Sequence, residues 1–324
     1  MNLLFLRGQV PQDRDPKQIM FNDINECDDV WTQLAYNMLS DNDNGELWYW
    51  NGKREMRYSE KFIERWVPDF GKAKPILEPD VIFARGGFKQ YDVVLKKYPK
   101  AFKIYYGAGR RFLPQSGFKS YDLILVDTET QKKKAAKEFP KSRIELLVKP
   151  ASDNIFKPQK GVIKSDAIFC ANEHSKGIKG HEFVLNNFPS DMKMTQLGIV
   201  KGKTKNRFPN IDFKGWVPRK DVVRMYSEVK FAIVWCRGNF DSCPRVIPEA
   251  LACNCPLLIF DETTFWHEKY INKETGIFAN KSNFAEKCKW MNDHYHELNP
   301  KKYYDNNLSL KISANRIREY ANSR

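Results

Sequence analysis

Short apolar runs alternate with longer mixed segments along the chain, and this alternation most constrains the fold. Runs such as residues 2–6, 123–126 and 231–235 have the length and apolar content of buried strands. The segments between such runs include stretches with helical periodicity, as in residues 130–138 and 219–229. Because strands that alternate with helices pair in parallel, the sequence predicts an α/β protein with helices on both faces of its sheets.

The alternating pattern runs twice, with a loop-like break, KPASDNIFKPQKG, at residues 149–161. A chain of 324 residues also has the length of two typical domains. We therefore predict two doubly wound, Rossmann-like domains facing a cleft, at residues 1–158 and 159–300, and a helical segment at 301–324 that could pack back on the first domain. Ligands of such sheets bind at the carboxyl ends of the strands.

Composition excludes several classes of protein. With 42% hydrophobic and 14% aromatic residues the chain can bury a core, so it is not disordered. No apolar run approaches the ~18 residues that span a bilayer, and the first residues lack the basic lead-in and cleavage site of a signal peptide. The seven cysteines contain no CxxC pair, which favours reduced structural thiols over a zinc site. We expect a cytoplasmic protein.

The chain is basic, with 54 Lys and Arg against 40 Asp and Glu, a net charge of +14. Residues 85–119 alone carry nine basic side chains against one acid, Asp92. Such a basic stretch favours an anionic partner: phosphate, nucleic acid or a membrane surface. A lysine-rich solvated surface is the alternative.

One stretch, DSCPRVIPEALACNCPLLIFD at residues 241–261, has an unusual pattern of charge. Between Arg245 and Asp261 its only charged residue is Glu249. The pattern predicts a helix at 245–253 and a strand at 256–260, joined at Asn254 in the left-handed conformation. Pro248 fits that helix only if the helix begins near Arg245. A carboxylate in such apolar surroundings is unfavourable unless something pairs with it.

The start of this helix is a candidate anion site. The backbone N–H groups of Ser242, Cys243 and Arg245 lie near a helix N-terminus, which attracts negative charge. Two carboxylates, Asp241 and Glu249, flank the site and can accept hydrogen bonds from sugar hydroxyls. Hydroxyls together with phosphate describe a nucleotide sugar. The alternative is that Glu249 forms a structural ion pair with a neighbouring lysine.

This stretch resembles the signature of the retaining GT-B glycosyltransferases of the GT4 type. Asp241 stands where that family usually has its first glutamate, and Glu249 stands for the second, eight residues later. The segment 242–244 replaces a glycine–aromatic–proline turn, and Asn254 replaces a glycine. Three further pieces resemble the family in the expected order, and together they cover residues 150–265: ASDNIFKP, KGHEFVLNNF and IDFKGWVPRKDVVRMYSEVKFAIVWC.

The resemblance implies a hexosyl or pentosyl transferase that binds a nucleotide-diphosphate sugar and acts with retention, without a cofactor or a metal ion. Lys179 would neutralise the leaving diphosphate, and Asp241 would hold the transferred sugar. Glu249 would accept hydrogen bonds from the ribose hydroxyls. Lys176 could contact a phosphate in place of the family's arginine, and Gly8 is what remains of the family's glycine-rich first loop. Trp216 and Val217 would border the base. The turn before the helix would face the sugar and the diphosphate, and its residues are Ser242, Cys243, Pro244 and Arg245.

The acceptor must then approach from the first domain. Arg85 follows one predicted strand and Arg110 and Arg111 follow another, so we expect these arginines to meet an anionic part of the acceptor. A surface saccharide or lipid-linked glycan is the first candidate acceptor, with peripheral membrane contact. The alternative is DNA, as in phage-type enzymes that glycosylate hydroxymethylated bases, and a third reading is a binding module without activity.

Overall fold

The computed structural model describes residues 1–8, 23–27, 29–50, 52, 54–109, 112–114, 117–147, 149–173, 179–235, 244–261 and 270–323. The chain divides into two compact units: residues 1–148 with 310–324, and residues 149–309. Each unit is built on one sheet, of eight strands in the first and six in the second. The predicted α/β class with two parallel-sheet domains is confirmed.

The first unit holds a mostly parallel sheet in the order β3-β4-β2-β1-β5-β6-β7-β8. Only the pair β3–β4 is antiparallel. Its strands are β1 (Asn2–Arg7), β2 (Asn44–Trp50), β3 (Arg54–Ser59), β4 (Phe62–Val67), β5 (Val81–Arg85), β6 (Phe102–Gly107), β7 (Leu123–Val126) and β8 (Arg143–Leu146). Its first helices are α1 (Val30–Asn37), α2 (Tyr91–Lys97) and α3 (Glu129–Glu138).

Both faces of the first sheet are buried, which explains the continuous apolar run at the start of the chain. Leu3 and Phe5 of β1 belong to one core cluster, which includes Trp31 of α1. Leu4 and Leu6 point to the opposite face and belong to a second cluster. Because successive strand side chains alternate between faces, a sheet covered on both sides needs apolar residues at every position of its central strands.

The second unit is a parallel sheet in the order β11-β10-β9-β12-β13-β14. Its strands are β9 (Ser165–Cys170), β10 (Met194–Leu197), β11 (Ile211–Gly215), β12 (Val229–Val234), β13 (Leu257–Phe260) and β14 (Gly276–Ala279). Its helices are α4 (His181–Asn187), α5 (Gly202–Lys205), α6 (Arg219–Ser227), α7 (Val246–Ala252), α8 (Phe284–His294) and α9 (Pro300–Asn307), with a 3-10 turn at Tyr295–Glu297.

The last helix, α10 (Leu310–Asn322), belongs to the first unit. Its buried residues Leu310, Ala314, Ile317 and Ala321 recur at helical spacing and join the core cluster of α1. The sequence predicted a helical segment here and left open which domain it packs on. The chain therefore returns to its first unit after completing the second.

Four strands, β2, β3, β4 and β14, were missed in the sequence. Two of them carry inward carboxylates that interrupt the apolar pattern. Glu46 of β2 accepts hydrogen bonds from Trp48 Nε1 at 2.9 Å and from Arg65 Nη1 at 3.0 Å. Glu64 of β4, which is fully buried, accepts one from the Tyr58 hydroxyl at 2.9 Å. Because bonded carboxylates are tolerated inside a protein, a search for apolar runs overlooks such strands.

Candidate functional site

The helix that carries Glu249, α7, has the ends that the sequence predicted. Arg245 is its N-cap, so Pro248 lies in the first turn, where the missing N–H group has no helical partner to lose. Asn254 adopts a φ of 61°, the predicted left-handed conformation. Its side-chain oxygen also accepts a hydrogen bond from the Lys301 N–H at 3.1 Å. The start and end of α7 are thus both fixed, and so is the position of Glu249.

Glu249 is half-buried on the flank of α7, and its carboxylate makes no hydrogen bond or ion pair within the part of the chain that the structure describes. Burial raises the pKa of this carboxyl, and the positive charges of Arg245, Arg219 and Lys149 oppose the rise. The structural ion pair that the sequence left open is not formed with any described lysine. The site therefore combines a carboxylate whose acceptor atoms are unused with a surrounding positive field.

Cys170 links Glu249 to Lys179. Cys170 is half-buried and is the last residue of β9. Its Sγ atom lies 3.8 Å from the Tyr226 hydroxyl oxygen. Burial raises the pKa of this thiol to about 12; the Tyr226 hydrogen bond lowers it, the charge of Glu249 raises it, and the charge of Lys179 lowers it. Both charges therefore act on the same thiol, at the carboxyl end of β9.

The residue after Lys179, Gly180, has a backbone conformation and a packing contact that favour glycine. This glycine precedes α4 with a φ of 58°, a left-handed conformation that side chains disfavour. A Cβ atom placed there would lie 2.2 Å from the ring of the buried Trp235. Position 180 therefore requires a glycine, both for its backbone conformation and for its packing against Trp235. This constraint on Gly180 also fixes the backbone position of the preceding residue, Lys179.

The loop after β11 connects an exposed aromatic ring to the Glu249 site. Gly215 has a φ of 72°, and its carbonyl accepts a hydrogen bond from the Gly198 N–H at 2.7 Å. Trp216 follows with 78% of its surface exposed, Val217 is half-buried, and Arg219 begins α6 and acts on Glu249. The predicted base-bordering residues therefore lead directly into the site.

At the edge of the first unit, Arg85 ends β5 and lies beside Arg7, its register partner on β1. Arg7 Nη1 donates hydrogen bonds to Asp29 Oδ1 and to the Tyr49 hydroxyl. The Arg85 guanidinium lies 4.5 Å from the centre of the Trp31 ring. Two guanidinium groups thus share the carboxyl edge of this sheet, and only Arg85 was predicted.

Gly8 follows β1 at the same edge and is buried. A Cβ atom at this position would lie 2.3 Å from the Phe88 ring, which also covers Gly86. Phe88 is 36% exposed, so this ring has room to move. The close approach of an aromatic ring explains why the chain has a glycine here, without assigning the residue to a ligand.

The aromatic residues of the basic stretch 85–119 belong mostly to the core. Tyr91, Tyr105 and Tyr106 are almost completely buried, and the ammonium of Lys103 donates to the carbonyls of Pro99 and Ala101 at 3.0 and 2.8 Å. The aromatic side chains of this stretch therefore pack mostly inside the first unit. They do not form an exposed stacking surface in the described part of it.

Six of the predicted site residues lie outside the described residues: Lys176, Arg110, Arg111, Asp241, Ser242 and Cys243. Pro244, which precedes α7, is described and buried.

The sequence missed several residues that the structure brings to these two edges: Lys149, Cys170, Tyr226 and Arg219 in the second unit, and Arg7, Asp29 and Trp31 in the first. A usable signal existed for two of them. Arg7 and Arg219 both stand at the ends of predicted elements, where ligand-binding residues of α/β sheets concentrate. Trp31 and Tyr226 resemble ordinary core aromatics in the sequence.

Among the described residues, no helix is long and apolar enough to cross a membrane. No group of three or more His, Cys, Asp and Glu side chains there is arranged to hold a metal ion.

No family model matches the sequence, and no curated protein matches it. Solved structures do match over the whole chain. Sucrose-phosphate synthase from Thermosynechococcus elongatus superposes with a TM-score of 0.68 at 9% identity, covering 99% of this chain and 98% of that one. A glycosyltransferase from Rickettsia africae superposes with a TM-score of 0.67 at 12% identity, covering 99% of this chain and 98% of that one. The lipopolysaccharide outer core galactosyltransferase WaaB gives 0.63 at 11% identity and covers 99% and 100%.

The chain has the GT-B fold. At such low identity the likeness concerns the path of the backbone. The chemistry must therefore be argued from the side chains of this protein.

Proposed function

We propose that this protein is a retaining glycosyltransferase that moves a sugar from a nucleotide-diphosphate donor to an acceptor hydroxyl without a metal ion. The carrying observation is Glu249, a half-buried carboxylate with no hydrogen bond or ion pair among the described residues. Its acceptor atoms match the two hydroxyls of a ribose, which supply the missing hydrogen bonds. The GT-B fold, shared with proteins named as a glycosyltransferase and a galactosyltransferase, supports this assignment.

The cations around the site account for the diphosphate. Lys179 lies near the same strand end as Glu249, and Arg245 and Arg219 add to the positive field. When the bond between the anomeric carbon and the diphosphate oxygen breaks, negative charge grows on the diphosphate. A fixed ammonium group stabilises that charge most strongly in the transition state. Lys179 is our candidate for this role, which removes the need for a metal ion.

The exposed ring of Trp216 supports a place for the base. Ile199 follows the neighbouring strand and is 57% exposed, so an aromatic and an aliphatic side chain stand at adjacent strand ends. A nucleobase binds such apolar surfaces with its flat face. Trp216 and Val217 would border the base, and Arg219, two residues further on, acts on the ribose-binding carboxylate.

Retention follows if the acceptor oxygen attacks on the face that the diphosphate leaves. The new bond forms between the anomeric carbon and the acceptor oxygen, and the hydroxyl proton passes to the departing phosphate oxygen. Asp241 would hold hydroxyls of the transferred sugar during this step. The acceptor that we propose is a surface saccharide or a lipid-linked glycan.

A panel of nucleotide sugars, offered without acceptor, tests the proposal. We expect one donor to bind by calorimetry and to be hydrolysed slowly with water as the acceptor. Proton NMR of the first-formed sugar would show the anomeric configuration of the donor. Release of the opposite anomer would contradict retention, and a complete lack of binding across the panel would contradict the function.

The DNA-modifying alternative predicts a different behaviour with salt. A duplex that contacts several phosphates loses affinity with a log–log slope of about 0.9 per phosphate, whereas a neutral saccharide shows almost none. Fluorescence anisotropy of labelled duplex at low and moderate salt separates the two. Because the proposed acceptor is a glycan, we expect no slope that corresponds to several phosphates, and such a slope would favour the DNA-modifying alternative.

A further inference from the structure

The carboxyl edge of the first sheet holds a positive charge, Arg85, that no described residue of its unit pairs by a hydrogen bond or an ion pair. Arg85 ends β5 and is flanked in register by Arg7 on β1 and Tyr106 on β6. Two arginines that are register partners on neighbouring parallel strands repel each other. An arrangement of this kind requires anions nearby to be stable.

Asp29 is engaged by other groups. Its Oδ1 accepts hydrogen bonds from Arg7 Nη1, from the Trp31 N–H at 3.0 Å and from the Thr32 N–H at 2.9 Å. This carboxylate is therefore both the partner of Arg7 and the cap of helix α1. Its charge reaches Arg85 only at a distance, as a weak opposing influence on the Arg85 pKa.

The Arg85 guanidinium forms no hydrogen bond and no ion pair among the described residues, and its buried Nε is without an acceptor there. Burial lowers the pKa of Arg85, and the charge of Arg7 lowers it further. An arginine nevertheless stays protonated in proteins. The Trp31 ring, 4.5 Å away, holds the guanidinium in place but offers no hydrogen-bond acceptor atom.

We propose that Arg85 binds an anionic group of the acceptor, a phosphate monoester or a carboxylate. This inference rests on the proposed function, which assigns the donor to the second unit and leaves the acceptor to the first. The planar guanidinium matches either anion through paired N–H donors. An anion placed there supplies the missing acceptor and relieves the repulsion between Arg85 and Arg7. The acceptor would thus be a charged sugar rather than a neutral one.

The test measures anion binding directly. Wild-type protein is titrated calorimetrically with inorganic phosphate, glucose 6-phosphate, glucuronate and, as the neutral control, glucose. We expect a phosphate or carboxylate probe to bind where glucose does not, and Arg85→Met to weaken that binding ~10–100-fold. Binding of glucose 6-phosphate alone identifies a phosphate monoester as the group recognised, and binding of glucuronate alone identifies a carboxylate.

Two matched variants show where the anion binds. Lys100→Met removes one charge from the exposed part of the same basic stretch, and Lys273→Met removes one exposed charge from the second unit. Both should leave the probe affinity within about twofold of wild type. Equal losses in Arg85→Met and Lys100→Met would show a diffuse surface effect and overturn the inference, as would a lack of binding by every probe.

Stability distinguishes binding from a structural role. If Arg85 serves a ligand, Arg85→Met removes an unpaired buried charge, and the melting temperature should stay unchanged or rise. A lowered melting temperature with unchanged probe affinity would make Arg85 structural. Should Arg85→Met fail to fold, Arg85→Lys keeps the charge without the planar donors, and its probe affinity must still fall.

The proposed function is decided separately by titrating wild-type protein with nucleotide sugars. Donor binding without Arg85-dependent anion binding overturns only this inference. Arg85-dependent anion binding without donor binding overturns only the proposed function.

Discussion

The two units share a doubly wound architecture but present opposite charges at the carboxyl edges of their sheets. The second unit presents a carboxylate, Glu249, with no hydrogen bond or ion pair in the described residues, within the field of three cations. The first presents a guanidinium, Arg85, with none either, beside a second arginine. A partly buried charge without a partner is unfavourable to folding, which is why we propose that a ligand binds at each of these places.

The difference between the edges indicates different ligands. The carboxylate accepts hydrogen bonds and matches hydroxyl donors, while the cations around it attract a diphosphate. The guanidinium only donates and matches an anion. Removing individual groups from each edge tests this division.

The largest effect is expected for Lys179→Ala on the second unit. If the Lys179 ammonium stabilises the leaving diphosphate as proposed, its loss should lower kcat by ~10²–10³. Steady-state kinetics with saturating donor measures this, and Lys273→Ala, an exposed lysine before β14, is the control. A variant with unchanged kcat and only a raised KM for donor would refute the leaving-group role.

The glycines at the two edges should differ in their effect on stability. Gly180→Ala combines a φ of 58° with a contact of 2.2 Å to buried Trp235. We expect it to lower the free energy of unfolding by about 2–4 kcal/mol. Gly8→Ala meets the partly exposed Phe88 ring, which can move, and should lower it by less than about 1 kcal/mol.

Urea denaturation of the two glycine variants measures the difference, with Gly215→Ala as a third case. Gly215 has a φ of 72°, and an added Cβ atom would meet no other atom within 4 Å. Its substitution should therefore lower the free energy of unfolding only through backbone strain, by about 1 kcal/mol. Equal losses in all three would mean that contact with the Trp235 ring contributes nothing.

Glu249→Gln should weaken donor binding by about 1–3 kcal/mol, because the amide would lose the charged hydrogen bonds that we propose Glu249 makes to the ribose. Calorimetry with the donor measures this. Glu286→Gln, an exposed acid on α8, is the control. A lowered melting temperature with unchanged donor affinity would instead make Glu249 a structural residue.

The same residue predicts a pH dependence. Because burial raises the pKa of Glu249, its carboxylate destabilises the folded protein at neutral pH, and this penalty disappears as the pH falls below the ordinary carboxyl value of about 4.3. The stability of Glu249→Gln relative to wild type should therefore be highest at neutral pH. The donor affinity of the wild-type protein should fall as the pH is lowered through the raised pKa of Glu249, because the protonated carboxyl loses its charge. The donor affinity of Glu249→Gln should not change over the same pH range for this reason.

The smallest effect is expected for Trp216→Ala. This ring is 78% exposed, so its loss should change the free energy of unfolding by no more than about 0.5 kcal/mol. If the ring borders the base, donor affinity should fall by about 1 kcal/mol, the low end for base–aromatic stacking. Unchanged affinity for the intact donor would remove Trp216 from the donor site.

Sequence patterns predicted most of the fold because the central strands are buried on both faces. A continuous apolar run such as that of β1 admits few other interpretations. Strands β2 and β4 escaped because Glu46 and Glu64 break the pattern, and only their partners in space, Arg65 and Tyr58, make these carboxylates acceptable. The register of these strands cannot be predicted from the local sequence, because it depends on contacts with residues of other strands.

For the candidate site, the sequence by itself determined the local geometry of α7: the proline in its first turn and the left-handed Asn254 follow from backbone sterics alone. It also showed that Glu249 is the one charge in an apolar stretch. By contrast, strand pairing makes Arg7 and Arg85 register partners, and packing within the second unit lets Glu249 and Lys179 both act on Cys170. The physical reason is that electrostatic interactions depend on distance in space, and residues far apart in the chain meet only when the strands pair.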